Sequence, residues 1–169
     1  MNKFEIRIAT YSDCKKLAVL KREVWETTYR GIYPDNKINY YSFVRNEKKF
    51  KNIIANPDQQ LYVAIYNQEL IGYVEFGKPI RPFRDYTQEI GLLYLKKEYQ
   101  RHGIGRELFH LAFTHIQNSG ANKFFISCHK YNQNAQKFYE KMGGKIVEID
   151  SDSANNNLPQ IKFAYSIYK

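Results

Sequence analysis

No stretch of this 169-residue chain approaches the roughly 18 consecutive apolar residues that a membrane-spanning helix requires, so a helical membrane protein is not expected. The opening segment, Met1 to Ala9, alternates polar and apolar residues and has no signal-peptide core, so export is not expected either. Cysteine is scarce. Cys14 and Cys128 are the whole supply, too few for a disulfide framework and without metal-ligand spacing, which fits a reducing cytoplasm. The four histidines show no ligand spacing, and no metal site is predicted. There is also no basic arm: residues 1–50 carry 11 positive and 6 negative groups, 51–100 carry 6 and 6, and 101–169 carry 9 and 5. The net charge of +9 is therefore spread as a solvated surface, and nucleic acid is a disfavoured partner.

What the chain does have is aromatic bulk, 15 Tyr and 11 Phe, with 43% hydrophobic and 25% charged residues, a globular composition of a size that suits one domain over residues 1–169. Phe4, Ile6 and Ile8 alternate with Glu5 and Arg7 as a half-buried strand does. Thr10 and Asp13 read as a capping pair opening a helix with Leu17, Leu20, Val24 and Trp25 on its apolar face, breaking near Gly31 and Pro34. Pro34 to Asn56 is helical in tone. Leu61–Tyr66 and Leu70–Phe76 form a hairpin about Asn67-Gln68-Glu69, and a strand resumes at Glu89–Leu95 after a loop from Gly77 to Tyr86. Further on come a helix at Ile104–Gln117, a strand at Phe124–Cys128 and a helix at Asn134–Met142 stopped by Gly143-Gly144. Strands at Lys145–Ile149 and Ile161–Tyr168 finish the chain, separated by a polar loop, Ser151 to Pro159. The pattern predicts an α/β (α+β) fold with a mixed sheet and helices on both faces.

The segment with chemical content runs from the Glu89–Leu95 strand through Gln100-Arg101-His102-Gly103-Ile104-Gly105-Arg106 into a helix. Glycines at 103 and 105 clear side chains where a ligand approaches, and a helix start presents unpaired N–H groups to an anion. The spacing is neither a Walker loop nor a dinucleotide fingerprint, since position 108 is Leu. With Gln100 it reads Gln-x-x-Gly-x-Gly directly behind a strand, and there it resembles the signature of the GNAT superfamily of N-acetyltransferases. Downstream, Asn132-x-x-Ala135-x-x-Phe138-Tyr139-Glu140-Lys141-x-Gly143 resembles the same family's second acetyl-CoA element. Two departures stand out: Lys96-Lys97 where the pattern usually has a proline after the cofactor strand, and Gly144 where it usually has an aromatic.

The resemblance implies a mostly antiparallel sheet of about seven strands with a central splay near Tyr94 and Ser127, and about four helices. It implies acetyl-CoA as cosubstrate, bound by Leu93, Tyr94 and Leu95, by the loop Gln100, Arg101, His102, Gly103, Ile104, Gly105 and Arg106, and by Asn132 and Tyr139. The acceptor implied is a primary amine of a small molecule or peptide, in an enzyme class in which homodimers are common. Since a lysine-like amine with pKa near 10.4 needs about 4.6 kcal/mol to lose its proton at pH 7, a proton acceptor is required. Glu89 is the first candidate and Glu75 the second. Tyr139, matching the family's tyrosine at the start of the last helix, is the candidate donor to the departing sulfur. Trp25, Tyr29 and Tyr33, with Asp35, can frame a cationic amine, although Trp25 and Tyr29 at i, i+4 also suit core packing. Adjacent Cys128 and His129 point to opposite faces of a strand and so form no nucleophilic dyad. The alternatives are a nonenzymatic CoA-binding domain and a basic nucleic-acid-binding module.

Overall fold

The computed structural model describes residues 4–150 and 158–167, so most of the predicted Ser151–Pro159 loop and the end of the last strand at Tyr168 lie outside the described residues. Seven strands form one sheet: β1 (Glu5–Ile8), β2 (Gln59–Tyr66), β3 (Glu69–Gly77), β4 (Glu89–Leu95), β5 (Lys123–His129), β6 (Lys145–Ile149) and β7 (Gln160–Ser166). Their order across the sheet is β1-β2-β3-β4-β5-β7-β6. Every neighbouring pair is antiparallel except β4 with β5, giving the mostly antiparallel mixed sheet that the resemblance implies.

A β-bulge lets β3 serve two cores: Gly72 opposes Ala64 and Leu70 opposes Ile65, so Ile71 is an extra residue and the side chains three apart across it come to share a face. Leu70 and Tyr73 face α1 (Cys14–Val24) and α3 (Phe43–Ala55), packing with Leu17, Leu20, Val24 and Phe50. Ile71 and Val74 face the other way, against Leu108, Phe109 and Ala112 of α4 (Ile104–Asn118). Burying side chains of this size contributes about 1.5–3 kcal/mol each. Among the described residues no helix is long and apolar enough to cross a membrane.

The helical stretch predicted from Pro34 to Asn56 is two helices, α2 (Asp35–Asn39) and α3. Tyr41 leaves the helical path to donate its hydroxyl to the Ala18 carbonyl at 2.8 Å, and the Ser42 side chain then caps α3 by accepting from the Arg45 N–H. This adds a short helix to the four expected.

Two irregularities shape the centre of the sheet. β4 and β5 pair only through Glu89 with Phe125 and Ile90 with Ile126, after which the strands part, so the expected splay opens beside Leu92–Leu95. Between β3 and β4 the register jumps: Phe76 opposes Ile90 and Glu75 opposes Leu92, leaving Gly91 as the extra residue of a β-bulge.

Candidate active site

The Lys96 N–H bonds to the Ile71 carbonyl at 2.9 Å, so alternate residues of β4, Tyr94 and Leu92, carry the bonds to β3. The backbone groups of Leu93 and Leu95 consequently face the gap toward β5. Beyond β4, Gln100 donates its side-chain amide to the Leu95 carbonyl at 3.2 Å and holds the loop against the strand end. Arg101 and Gly103 both take positive φ, +67° and +86°, a conformation natural to glycine and strained for arginine. Gly103 opens α4 with no side-chain cap, and the first helical bond runs from the Glu107 N–H to the Gly103 carbonyl. The N–H groups of Ile104, Gly105 and Arg106 are left without helical acceptors. The Ile104 side chain is fully buried and anchors this start, while Arg101, His102 and Arg106 stand exposed around it. A Cβ on Gly105 would meet only the Phe138 ring at 3.8 Å, an ordinary contact. Packing within the protein therefore does not demand glycine here, and the cleared space fits an approaching ligand.

Two carboxylates mark the head of the splay. Glu75, 3% exposed, lies on β3 opposite the bulge, and a side chain at Gly91 would overlap its Oε2, so the glycine makes room for the carboxylate. Half-buried Glu89 lies on β4, paired with Gly77. Neither carboxylate has a hydrogen bond or ion pair among the described residues. Burial pushes each up to about 7; for Glu75 the nearby Glu89 charge adds to the rise and Lys49 opposes it, while for Glu89 Lys162 opposes it.

Tyr139 is almost fully buried, and burial raises its phenol well above the ordinary value, with Cys128, Tyr165 and Tyr94 adding to the rise. It lies in the last turn of α5 (Gln133–Lys141), not at the start of the helix as the resemblance implies. The cause is Asn132, whose side-chain oxygen accepts from the Ala135 N–H at 3.1 Å and starts the helix at Gln133, six residues before Tyr139. The side-chain nitrogen of Asn132 approaches the Tyr29 hydroxyl at 3.5 Å, linking α5 to the aromatic group. Gly144 is equally explained: the Tyr165 hydroxyl sits 2.6 Å from where its Cβ would be and donates to the Tyr139 carbonyl at 2.9 Å. An aromatic from β7 thus fills the place of the one absent from position 144. The other departure, Lys96, pairs with Glu23 at 2.8 Å and with Glu69, tying β4 to α1 and to the β2–β3 turn.

The aromatics expected to frame an acceptor come together. Trp25 and Tyr29 extend α1 as a π-helical turn, and Tyr29 stacks on Tyr33 at 4.3 Å with 9° between the planes. Trp25 meets Tyr33 and Tyr41 edge-on at 5.3 and 5.4 Å, and Tyr29 lies 6.3 Å from Tyr94. The i, i+4 spacing thus serves contacts with other elements, not one between Trp25 and Tyr29. Asp35 stands apart from the frame: it is an exposed partner of Arg30 at 3.0 Å, because its position at the start of α2 turns it to solvent. Cys128 and His129 are consecutive on β5, and burial pushes the thiol up to about 12, consistent with an inert cysteine. Sequence reasoning missed Lys21, Tyr41 and Tyr73 around this frame. The signal for Lys21 was available, since it falls in the apolar stripe of Leu17, Leu20 and Val24.

Comparison with known proteins fits this geometry. Residues 22–144 match the family described as Acetyltransferase (GNAT) family. A spermidine N(1)-acetyltransferase from Thermoplasma acidophilum is 31% identical over 153 residues, covering 86% of this chain and 91% of that protein. The crystal structure of PaiA N-acetyltransferase from the same organism, in complex with coenzyme A, superposes with a TM-score of 0.75 at 26% identity, covering 96% of this chain and 99% of that one. An aminoglycoside 6'-acetyltransferase type Ii shares the fold, with a TM-score of 0.71 at 19% identity over 98% of each chain.

Proposed function

The chain belongs to the GNAT family of acetyltransferases and uses acetyl-CoA as cosubstrate, and from that premise we propose that it acetylates a primary amine by direct transfer, with Glu89 as proton acceptor and Tyr139 as hydrogen-bond donor to the departing sulfur. Residues 1–169 act as one catalytic domain, in a cytoplasm where the buried Cys14 and Cys128 stay as thiols. The carrying observation is the carboxylate pair Glu75 and Glu89 at the head of the splay, both raised to about 7.

Acetyl-CoA supplies the activated acyl thioester. The Leu93 and Leu95 backbone would pair with its pantetheine amides, and the N–H groups of Ile104, Gly105 and Arg106 would receive its pyrophosphate, with Arg101 and Arg106 adding charge. Against a carboxylate of pKa 4.5, removing a proton from an amine of pKa about 10.4 is uphill by about 8 kcal/mol. Against one near 7 it is uphill by about 4.6 kcal/mol. Burial of the glutamates thus supplies about 3.4 kcal/mol of the difference. Only one needs to be ionised, and the Glu89 charge then favours the protonated form of Glu75. Tyr139 remains neutral because burial raises its phenol, so it is available as a donor.

The test is thiol release from acetyl-CoA with a panel of primary amines, spermidine included. Release that depends on an amine and falls at least 100-fold in Glu89→Gln supports the assignment. Release unaffected by Glu89→Gln removes Glu89 from the mechanism. Acetyl-CoA binding without release with any amine favours the nonenzymatic CoA-binding domain instead.

A further inference from the structure

Opposite the carboxylates the acceptor frame is cationic. Lys21, 4% exposed, donates to the Asn46 side-chain oxygen at 2.8 Å, and its ammonium lies 5.0 Å from the Trp25 ring centre and 6.0 Å from that of Phe50. Half-buried Lys37 of α2 approaches the same indole at 5.5 Å and Tyr33 at 4.5 Å. Lys49 of α3 repels both and also faces Glu75. Among the described residues, no carboxylate forms an ion pair with any of the three. Burial and the two neighbouring lysines pull Lys21 down to about 7, the response of a cation that lacks a counter-charge.

Hydrogen-bond donors accumulate at the same place. Among the described residues the hydroxyl of fully buried Tyr73 has no hydrogen-bond partner, and the Trp25 indole nitrogen, which can only donate, lies near the Tyr94 hydroxyl without closing a well-formed bond to it. Tyr73 lies between Phe50 and Tyr94, at 5.3 and 5.4 Å, and two residues before Glu75 on the same face of β3. The lysine pole and the carboxylate pole are therefore joined across one frame.

We infer that the acceptor carries an anionic group, a carboxylate being the simplest, beside its amine, and that Lys21, Lys37 and Lys49 with the Trp25 and Tyr73 donors form the subsite receiving it. This rests on the amine-acetyltransferase reading above. The amine is drawn to Glu75 and Glu89 and the anion to the lysines, so an amino acid fits where a pure polycation would bring a second ammonium against three lysines.

Matched acceptors differing only in the carboxylate test it: lysine against cadaverine and ornithine against putrescine, with spermidine alongside, each measured as kcat/KM by thiol release. The carboxylate-bearing member of each pair is expected to be favoured at least 10-fold, and Lys21→Met and Lys37→Met are expected to bring that ratio toward one. The half-buried position of Lys37 keeps the test available if Lys21→Met fails to fold. Equal or better use of the diamines or spermidine by the unaltered protein, or ratios insensitive to the lysine variants, overturns the subsite while leaving the transferase reading standing. No release with any amine, despite stabilisation by acetyl-CoA, overturns both.

Discussion

Replacing Glu75 by glutamine preserves its shape beside Gly91 and removes one titrating group, so the change can be followed as stability against pH. In the folded protein the carboxyl titrates at about 7 against 4.5 ordinarily. That difference is worth about 3.4 kcal/mol at about 1.36 kcal/mol per pH unit. Because the folded-state value is the higher one, this stability is fully present below pH 4.5 and is lost as pH rises through 7. The unaltered protein should therefore lose about 3 kcal/mol from this source between pH 4.5 and 8. Half-buried Glu89, raised by burial to about the same value, adds a loss in the same direction, discounted for its partial exposure to solvent. Urea unfolding at pH 5, 6, 7 and 8 measures the slope, provided the denaturant dependence stays constant. Glu75→Gln should match the unaltered protein within about 1 kcal/mol at pH 5 and exceed it by about 2–3 kcal/mol at pH 8. Parallel curves for the two proteins would refute the placement of an unpaired, buried carboxylate at the bulge.

Gly105→Glu should leave the unfolding temperature nearly unchanged, since the only contact there is Phe138 at 3.8 Å. It should abolish the stabilisation by acetyl-CoA, about 2.7 kcal/mol at a hundredfold excess over Kd, read by thermal shift with ATP and NAD as controls. Tyr139→Phe should lower kcat about 10²–10⁴-fold in the thiol-release assay. Its stability should barely change, because the hydroxyl makes no hydrogen bond among the described residues. Gly144→Ala should cost about 1–3 kcal/mol in urea unfolding, because the new methyl meets the Tyr165 hydroxyl at 2.6 Å and the Tyr139 carbonyl at 2.9 Å.

Features that obey local rules were legible in the sequence. The capping pair at Thr10 and Asp13 and the glycines at the head of α4 announce themselves within a few residues. The proposed cofactor side of the site is of this kind, because residues 93–106 are consecutive backbone. The proposed acceptor side is assembled from α1, α2, α3, β3 and β4, and no local pattern joins Lys21 to Glu75. The bulge at Gly91 depends on a carboxylate sixteen residues away, and the break at Tyr40–Ser42 on the Tyr41 hydroxyl reaching Ala18. Both are tertiary events that composition and spacing do not encode.

The two-residue contact between β4 and β5 also bears on how the molecule stays in one piece. On the backbone alone it is two antiparallel ribbons, β1 to β4 and β5-β7-β6, meeting at a short parallel seam. Side chains span that seam: from α4, Phe109 packs on Phe124 of β5 at 6.1 Å and on Tyr165 of β7 at 5.2 Å, while the same helix covers β3. A ligand whose amide groups bond to Leu93 and Leu95 lengthens the seam from the open end, acting as a partial eighth strand. Substrate binding and mechanical union of the two ribbons are then one event, and amide protons of β4 and β5 should exchange together once the ligand is in place.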